Sequence, residues 1–260
     1  GRDLKHFAEL AFDATNKIVA YRVNTFCNLG AYNSRFGQNI QTGLFSKVLM
    51  GVYDVQTTYL NVLGIYTNTT QVDAYRGAGR PEAIYLLERM MDRAARELKI
   101  DPLELRRINF IKKDNFPYRS STGETIDVGD FDRVLSAAEI SADIAGFERR
   151  KKESEAKGML RGLGLCYYIE SILGDPSEEA KVVFEEGLDV KIFVGTQSNG
   201  QGHETVFAQF LSDQIGIPIE KITVVQGDTD LIPNGGGTGG SRSVTVQNNA
   251  TLATVEKVIQ

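Results

Sequence analysis

The sequence has no tryptophan, only two histidines and only two cysteines. Cys27 and Cys166 cannot build a disulfide framework and form no CxxC pair. Both lie in apolar, strand-like text, so both are expected to be buried free thiols in a reducing compartment. Neither shows metal-ligand spacing or a nucleophile–base arrangement. A basic excess is also missing: 29 Lys and Arg stand against 34 Asp and Glu, for a net charge of −5. The densest basic run, Glu148-Arg149-Arg150-Lys151-Lys152, therefore reads as a solvated helix end and not as a nucleic-acid surface. No apolar run approaches the ~20 residues of a membrane span, and no cleavable signal opens the chain. The expected setting is cytoplasmic, without nucleic acid or a membrane span.

What is present is ordinary globular material: 260 residues, 42% hydrophobic, enough for one large domain or two small ones. Glycine stands out at 26 residues, clustered around 195–202 and 235–240. Clusters beside helix starts point to close backbone approach to a ligand.

Three Gly-rich stretches run into helices. The first is Asp73-Ala74-Tyr75-Arg76-Gly77-Ala78-Gly79-Arg80-Pro81-Glu82, where Pro81 suits the first helical turn and Glu82 complements the helix dipole. The second is Asn199-Gly200-Gln201-Gly202-His203-Glu204, and the third is Asn234-Gly235-Gly236-Gly237-Thr238-Gly239-Gly240-Ser241-Arg242-Ser243. Amides at such helix starts are suited to anions. The expectation is that the three loops meet around one phosphate-bearing cofactor. Each is weak alone: the first lacks the Lys-Ser/Thr of a Walker loop, and Gly200-x-Gly202 lacks the third glycine of a dinucleotide fingerprint. His203 has no second ligand at metal spacing and reads as a packed or capping residue.

In order, Leu4 to Phe12 looks like the tail of an element already under way, with turn chemistry at Asp13 and Asn16. Strands are expected over 17–27 and 57–67, while Leu44 to Met50 fits helix or strand. Ile84, Leu87, Met91 and Leu98 give a helix after the first loop. Asp101-Pro102-Leu103-Glu104 opens another, with Asp101 as cap. A polar connector follows, then a helix capped by Asp130 running through Leu135 and Ala138 toward Phe147 and the charged run. Lys157-Gly158 reads as a domain boundary. Beyond it, Met159 to Leu173 and Ala180 to Val194 read as two long strands around a turn at Gly174-Asp175-Pro176, with a further turn at Glu186-Gly187. Gly162 and Gly164 suggest a bulge or close contact in the first of them. A helix ending at Gly216, a strand at Ile222 to Val225 and a last helix complete the chain. The fold class is α+β, as two mixed αβ subdomains at 1–157 and 158–260. Both halves share a pattern of strands, Gly loop and helix, too weak in sequence to name a repeat.

Four motifs in this order carry a resemblance: Asp73 to Ala83, Gly200-Gln201-Gly202-His203-Glu204-Thr205, Gln226-Gly227-Asp228-Thr229-Asp230, and Gly239-Gly240-Ser241-Arg242-Ser243. The sequence resembles the large subunit of molybdenum hydroxylases, the xanthine dehydrogenase / aldehyde oxidase family, and in particular carbon monoxide dehydrogenase-like large chains. The resemblance covers nearly the whole chain. It implies two molybdopterin-binding subdomains and a molybdopterin cytosine dinucleotide cofactor. Arg76, Gly77 and Ala78, with Gly240, would lie near the molybdenum, with no direct metal ligand from this chain. Gly200, Gln201, Gly202, His203, Gly239, Gly240, Ser241, Arg242 and Ser243 would hold the pterin and its phosphates. It also implies oxidative hydroxylation of a small molecule, with electrons leaving through iron–sulfur and flavin subunits.

The departures narrow this expectation. Carbon monoxide oxidisers of the family carry a copper-binding cysteine directly after the arginine, where this chain has Gly77. Xanthine-type enzymes carry an aromatic next, where this chain has Ala78. Carbon monoxide and flat purines are therefore disfavoured, and an aldehyde or another small or heterocyclic substrate is expected. The resemblance also places a Gly-rich loop with a molybdenum-facing Gln upstream and a glutamate base near the C-terminus, and neither stretch is among these residues. Glu204 sits in a helix-entry loop and is not that base. The chain is thus expected to be a central fragment, without catalytic residues, inactive and cofactor-free on its own. The alternative is a non-catalytic nucleotide-binding or subunit-assembly module of the same fold.

Overall fold

The first hairpin follows from two alternating strands and the turn between them. β1 (Leu4–Phe12) pairs antiparallel with β2 (Ile18–Gly30) in the computed structural model, which describes residues 2–173 and 177–259. Asp13 Oδ1 closes the turn by accepting from the amides of Thr15 at 2.8 Å and Lys17 at 3.0 Å. The ambiguous stretch after β2 is helical: α1 (Gly37–Asn39), a π-helical turn at Ile40–Leu44 and α2 (Phe45–Lys47) run on without a break. β3 (Thr58–Tyr66) then returns parallel to β2. α3 (Arg80–Leu98) covers one face of the sheet with Ile84, Leu87 and Met91, all buried in the core. α4 (Pro102–Asn109) is capped as expected, Asp101 accepting from Leu103 N at 2.8 Å and Glu104 N at 3.0 Å.

The connector beyond α4 holds a small hairpin, β4 (Tyr118–Arg119) with β5 (Thr125–Ile126). The helix expected from Asp130 to Phe147 is broken. α5 (Phe131–Ser141) stops before Asp143, whose φ of +46° leaves the helical region, and α6 (Phe147–Glu155) starts afresh. Asp143 is one of the few residue types that tolerate that conformation, and its side chain accepts from Gly146 N at 3.1 Å.

The strand expected at Met159 to Leu173 is absent. The period-2 pattern is real, since Leu165, Tyr167 and Ile169 pack against the first core while their neighbours face out. Yet the segment joins no ladder: Tyr167 N donates to the Glu88 carboxylate at 3.0 Å instead of to a strand. Gly162 and Gly164 mark neither a bulge nor a close approach, because a Cβ at either would meet nothing within 4 Å. Cys166 is correspondingly exposed, whereas Cys27 is buried as expected.

In the second half, β6 (Ala180–Phe184) and β7 (Val190–Val194) form an antiparallel hairpin, α7 (His203–Ile215) follows, and β8 (Ile222–Val225) pairs parallel to β7. α8 (Ser243–Ile259) closes the chain. Val190, Ile192, Phe207, Leu211 and Val255 form the core. The turn expected at Gly174-Asp175-Pro176 lies outside the described residues.

The chain divides into two compact units, Gly1–Glu170 and Ser171–Gln260, so the extended segment after Gly158 packs with the first. The pattern shared by the two halves is a shared topology. Each unit has a hairpin, a helical crossover, a third strand parallel to the second, then a Gly-rich turn entering a helix. The fold is α+β in two mixed subdomains.

Candidate cofactor-binding loops

The first Gly loop lies in the first unit and is closed on itself. Ala78 N donates to Tyr75 O at 2.9 Å and Arg80 N to Gly77 O at 3.3 Å. Gly79 N donates to Glu82 Oε2 at 2.9 Å, the reciprocal half of a capping box. The other Glu82 oxygen accepts from Arg2 Nε at 2.8 Å, and that carboxylate is buried. The amides expected to await an external anion are thus engaged by the chain's own groups.

Gly79 is demanded by packing. Its φ is +92°, and a Cβ there would lie 2.5 Å from Ile40 O. Arg80 is buried and pairs with Glu170 at 2.6 Å, while its Nη1 donates to Ala78 O at 3.0 Å. Tyr168 donates to Glu170 at 2.9 Å, and burial chiefly raises its phenol pKa, with Glu170 adding to the effect. Arg76, by contrast, is exposed. A cleft of about 400 Å³ beside the turn is lined by Arg2, Val72, Asp73, Tyr75, Ala78 and Glu82.

The second and third loops share the second unit and lie side by side. Gly237 N donates to Gly195 O at 3.2 Å, and Thr238 Oγ1 to Gln197 O. The backbones approach so closely that a Cβ on Gly195 would stand 2.6 Å from Gly235 Cα. Gln226 ties the Gln226–Asp230 motif to the second loop: its Oε1 accepts from Ser198 N at 2.8 Å, and its Nε2 donates to Glu204 at 2.5 Å. Gln201 folds back to accept from Asn199 N.

His203 is buried, with its ring 4.8 Å from that of Phe207. Its Nδ1 has no hydrogen-bond partner among the described residues. Burial lowers its pKa, and Glu204 opposes that shift. It is a packed residue at the first turn of α7, as the sequence suggested.

Arg242 does not reach outward. It is buried, donating from Nη2 to Glu178 Oε2 at 3.3 Å and to Gly237 O at 3.2 Å. The Glu178 carboxylate also accepts from Gly236 N at 3.1 Å, and its side chain is 0% exposed. Gly240 and Ser241 have φ of +70° and +58°, and Leu173 N donates to Gly240 O at 2.8 Å. Ser243 opens α8, with Oγ 3.5 Å from Thr238 Oγ1.

These loops fit a large anionic cofactor on one specific count. Gly200, Gly202 and Gly237 have φ of +95°, +80° and +67°, yet a Cβ on any of them, or on Gly239, would meet nothing within 4 Å. Among the described residues, no neighbouring group fills the space over these glycines. Open backbone of this kind at the start of a helix, as Gly200 and Gly202 provide before α7, is what a phosphate needs. Among the described residues no group of three or more His, Cys, Asp or Glu is arranged to hold a metal ion.

Sequence reasoning missed Glu178, Arg2 and the side-chain role of Gln226. Gln226 stood in a quoted motif, so that signal was available. Glu178 precedes β6 in a run of three acidic or polar residues, and nothing local distinguishes it.

Comparison with known proteins places both halves of the chain in one family of domains. Models of the molybdopterin cofactor-binding domain match residues 1–110 and 137–260. The carbon monoxide dehydrogenase large chain of Hydrogenophaga pseudoflava is 34% identical over 99% of this chain and 34% of its own length. The 6-hydroxypseudooxynicotine dehydrogenase complex subunit gamma of Paenarthrobacter nicotinovorans is 31% identical, over 98% of this chain and 33% of its own length. The structure of quinoline 2-oxidoreductase from Pseudomonas putida 86 matches with a TM-score of 0.85 and 27% identity, over 99% of this chain and 35% of that one. The chain spans about a third of the length of these relatives. It belongs to the molybdenum hydroxylase large-subunit family and consists of that family's molybdopterin cofactor-binding domains.

Proposed function

We propose that this chain is the cofactor-holding part of an enzyme that oxidatively hydroxylates an aldehyde, an N-heterocycle or another small molecule. The observation that carries the reading is the open, glycine-lined backbone at Gly200, Gly202, Gly237 and Gly239 on loops pinned together in one unit. Gly200, Gln201, Gly202 and His203 would receive the phosphates of a molybdopterin cytosine dinucleotide at the start of α7. Gly239, Gly240, Ser241 and Ser243 would line its other side, with Arg242 acting on the loop from within. Arg76, Gly77 and Ala78 would stand near the metal. When bound, the cofactor supplies the oxidative chemistry, and the protein supplies position and electrostatics. On this reading, Arg76 offers an exposed guanidinium for an anionic or carbonyl group, while buried Arg80 holds the turn's shape through Ala78 O and Glu170.

The absence of a side chain at Gly77 supports a substrate other than carbon monoxide handled by copper. The names of two relatives, acting on a pyridine-derived dehydrogenase substrate and on quinoline, support a heterocycle. One relative is named as a subunit of a complex, which supports partner subunits; in this reading they are iron–sulfur and flavin subunits that accept the electrons. We assign the two compact units, Gly1–Glu170 and Ser171–Gln260, to the two subdomains; no helix of the described residues is long and apolar enough to cross a membrane.

The test is to purify the full-length protein containing this chain and to measure molybdenum and released pterin per chain, then oxidation of quinoline and of aromatic aldehydes with an artificial electron acceptor. Near-stoichiometric molybdenum and pterin with turnover is expected. A protein with neither would overturn the reading in favour of an assembly module.

A further inference from the structure

We infer that Glu178 is an internal anion that preforms the third loop, and that Arg242 is a positioning residue bound to it and not a phosphate ligand. The inference uses the proposed function only for what the loop holds.

The third loop carries the donors expected for a phosphate: an amide at Gly236 and a guanidinium at Arg242. Both are aimed at one carboxylate. Glu178 accepts from Gly236 N through Oε1 at 3.1 Å and Oε2 at 3.2 Å, and from Arg242 Nη2 at 3.3 Å. The side chains of Glu178 and Arg242 are 0% and 7% exposed, so the pair is screened from water. Arg242 also donates to Gly237 O at 3.2 Å, which couples the ion pair directly to the loop backbone. The glycine at 236 is needed for this clasp, because a Cβ there would collide with the Arg242 guanidinium.

The first loop, at the equivalent place in the other unit's topology, has the same construction. There Glu82 accepts from Gly79 N at 2.9 Å and from Arg2 Nε at 2.8 Å. Each Gly turn that follows a parallel third strand is therefore closed on a buried carboxylate with an arginine on its other side. The open glycines Gly200, Gly202 and Gly239 lie outside these clasps, and Gly237 takes part only through its carbonyl. An external anion at Arg242 Nη2 would compete with this carboxylate. An anion over the open glycines displaces nothing.

A phosphate ligand and a positioning residue respond oppositely to loss of Glu178. The experiment uses the full-length protein and three variants: Glu178→Gln, Arg242→Gln and the double variant. It reads pterin and molybdenum per chain, amide exchange at Gly236 and Gly237, and thermal stability. Each single substitution removes one half of the buried Glu178–Arg242 pair. Each is expected to speed loop-3 amide exchange at least tenfold and to lower retained cofactor. The neutral double variant strands no charge and keeps hydrogen-bonding groups on both sides, so protection and cofactor content should recover toward wild type. If Arg242 instead binds the cofactor anion, Glu178→Gln frees it and cofactor content holds or rises, while the double variant stays deficient; that pattern overturns the inference. If wild type holds no pterin at all, the proposed function fails, and amide exchange in the three variants still decides the role of Glu178.

Discussion

Pro81 occupies the space that a side chain at Gly77 would need. A Cβ built on Gly77 would lie 2.5 Å from Pro81 Cγ, and the residue's φ is +87°, in the region that favours glycine. The glycine that distinguishes this turn from that of copper-dependent relatives is therefore enforced by the helix start just after it. Gly77→Cys should not install a copper site. It should cost about 1–3 kcal/mol, the size of a strained backbone. Denaturant melts and copper per chain check this; a stable variant with stoichiometric copper would show the turn to be adaptable.

The second prediction concerns the buried charge cluster that holds the first unit together. Arg106 is 0% exposed and meets Glu88 through Nε at 3.0 Å and Nη2 at 2.9 Å. Tyr53 donates to the same carboxylate at 2.5 Å, and Tyr167 N at 3.0 Å. Glu88→Gln leaves Arg106 with Asp92, 25% exposed and at 2.9 Å, as its one carboxylate among the described residues, beside the Pro102 carbonyl at 3.0 Å. Breaking such a pair costs about 3–5 kcal/mol. The segment around Tyr167 should loosen with it, read as faster tryptic cleavage at Arg161. The exposed Arg93–Glu97 pair is the control: Glu97→Gln should cost at most about 0.5 kcal/mol.

How far the sequence reached depends on range. Local chemistry was legible: Asp101 caps α4, Pro81 opens α3 and Gly216 ends α7 with φ of +74°, all as residue type and spacing dictate. The Gly loops were legible as backbone that must approach something. What they approach was not. Gly79 faces Ile40 O and Gly195 faces Gly235, contacts far apart in the chain that no local pattern encodes. Arg242 read as a phosphate donor because only its own loop was in view, and its partner Glu178 lies well before it in the chain. Met159 to Leu173 showed the alternation of a strand, but alternation reports which side is buried, not whether a neighbouring strand exists to pair with.

The third prediction is a pH dependence at His203. Burial holds its folded pKa below the ordinary 6.5, with Glu204 opposing. The unfolded chain therefore binds the proton more readily than the folded one. The resulting stability is fully present above pH about 6.5 and is lost as pH falls through the window between that value and the folded pKa. His203→Asn should flatten the fall in stability on acidification from pH 7 to 5. The half-buried His6 shifts in the same direction and leaves a residual slope. Denaturant midpoints at several pH values are the readout, and an unchanged slope would show that His203 is protonated freely in the folded state.

The fourth prediction separates a cofactor-shaping contact from a stability contact. Gln226 holds the second loop at both ends, taking Ser198 N at 2.8 Å and giving to Glu204 at 2.5 Å. An amide is required because one group must accept and another donate within the same side chain. Gln226→Glu keeps the size and the acceptor but loses the donor and places a carboxylate against Glu204. Like charges at that distance repel, and they do so beside a backbone meant to receive phosphate. The substitution lies at the end of a strand whose core residues, Ile222 among them, are untouched, so the cost in global stability should stay near 1 kcal/mol. Retained cofactor should fall much further, by about tenfold or more, since the loop amides lose their arrangement and the local potential turns against an anion. Raising ionic strength should recover part of that loss by screening the added charge, whereas Gln226→Ala, which adds none, should lose cofactor without salt recovery. Equal losses in both variants at every salt concentration would mean that Gln226 acts only by shaping the loop.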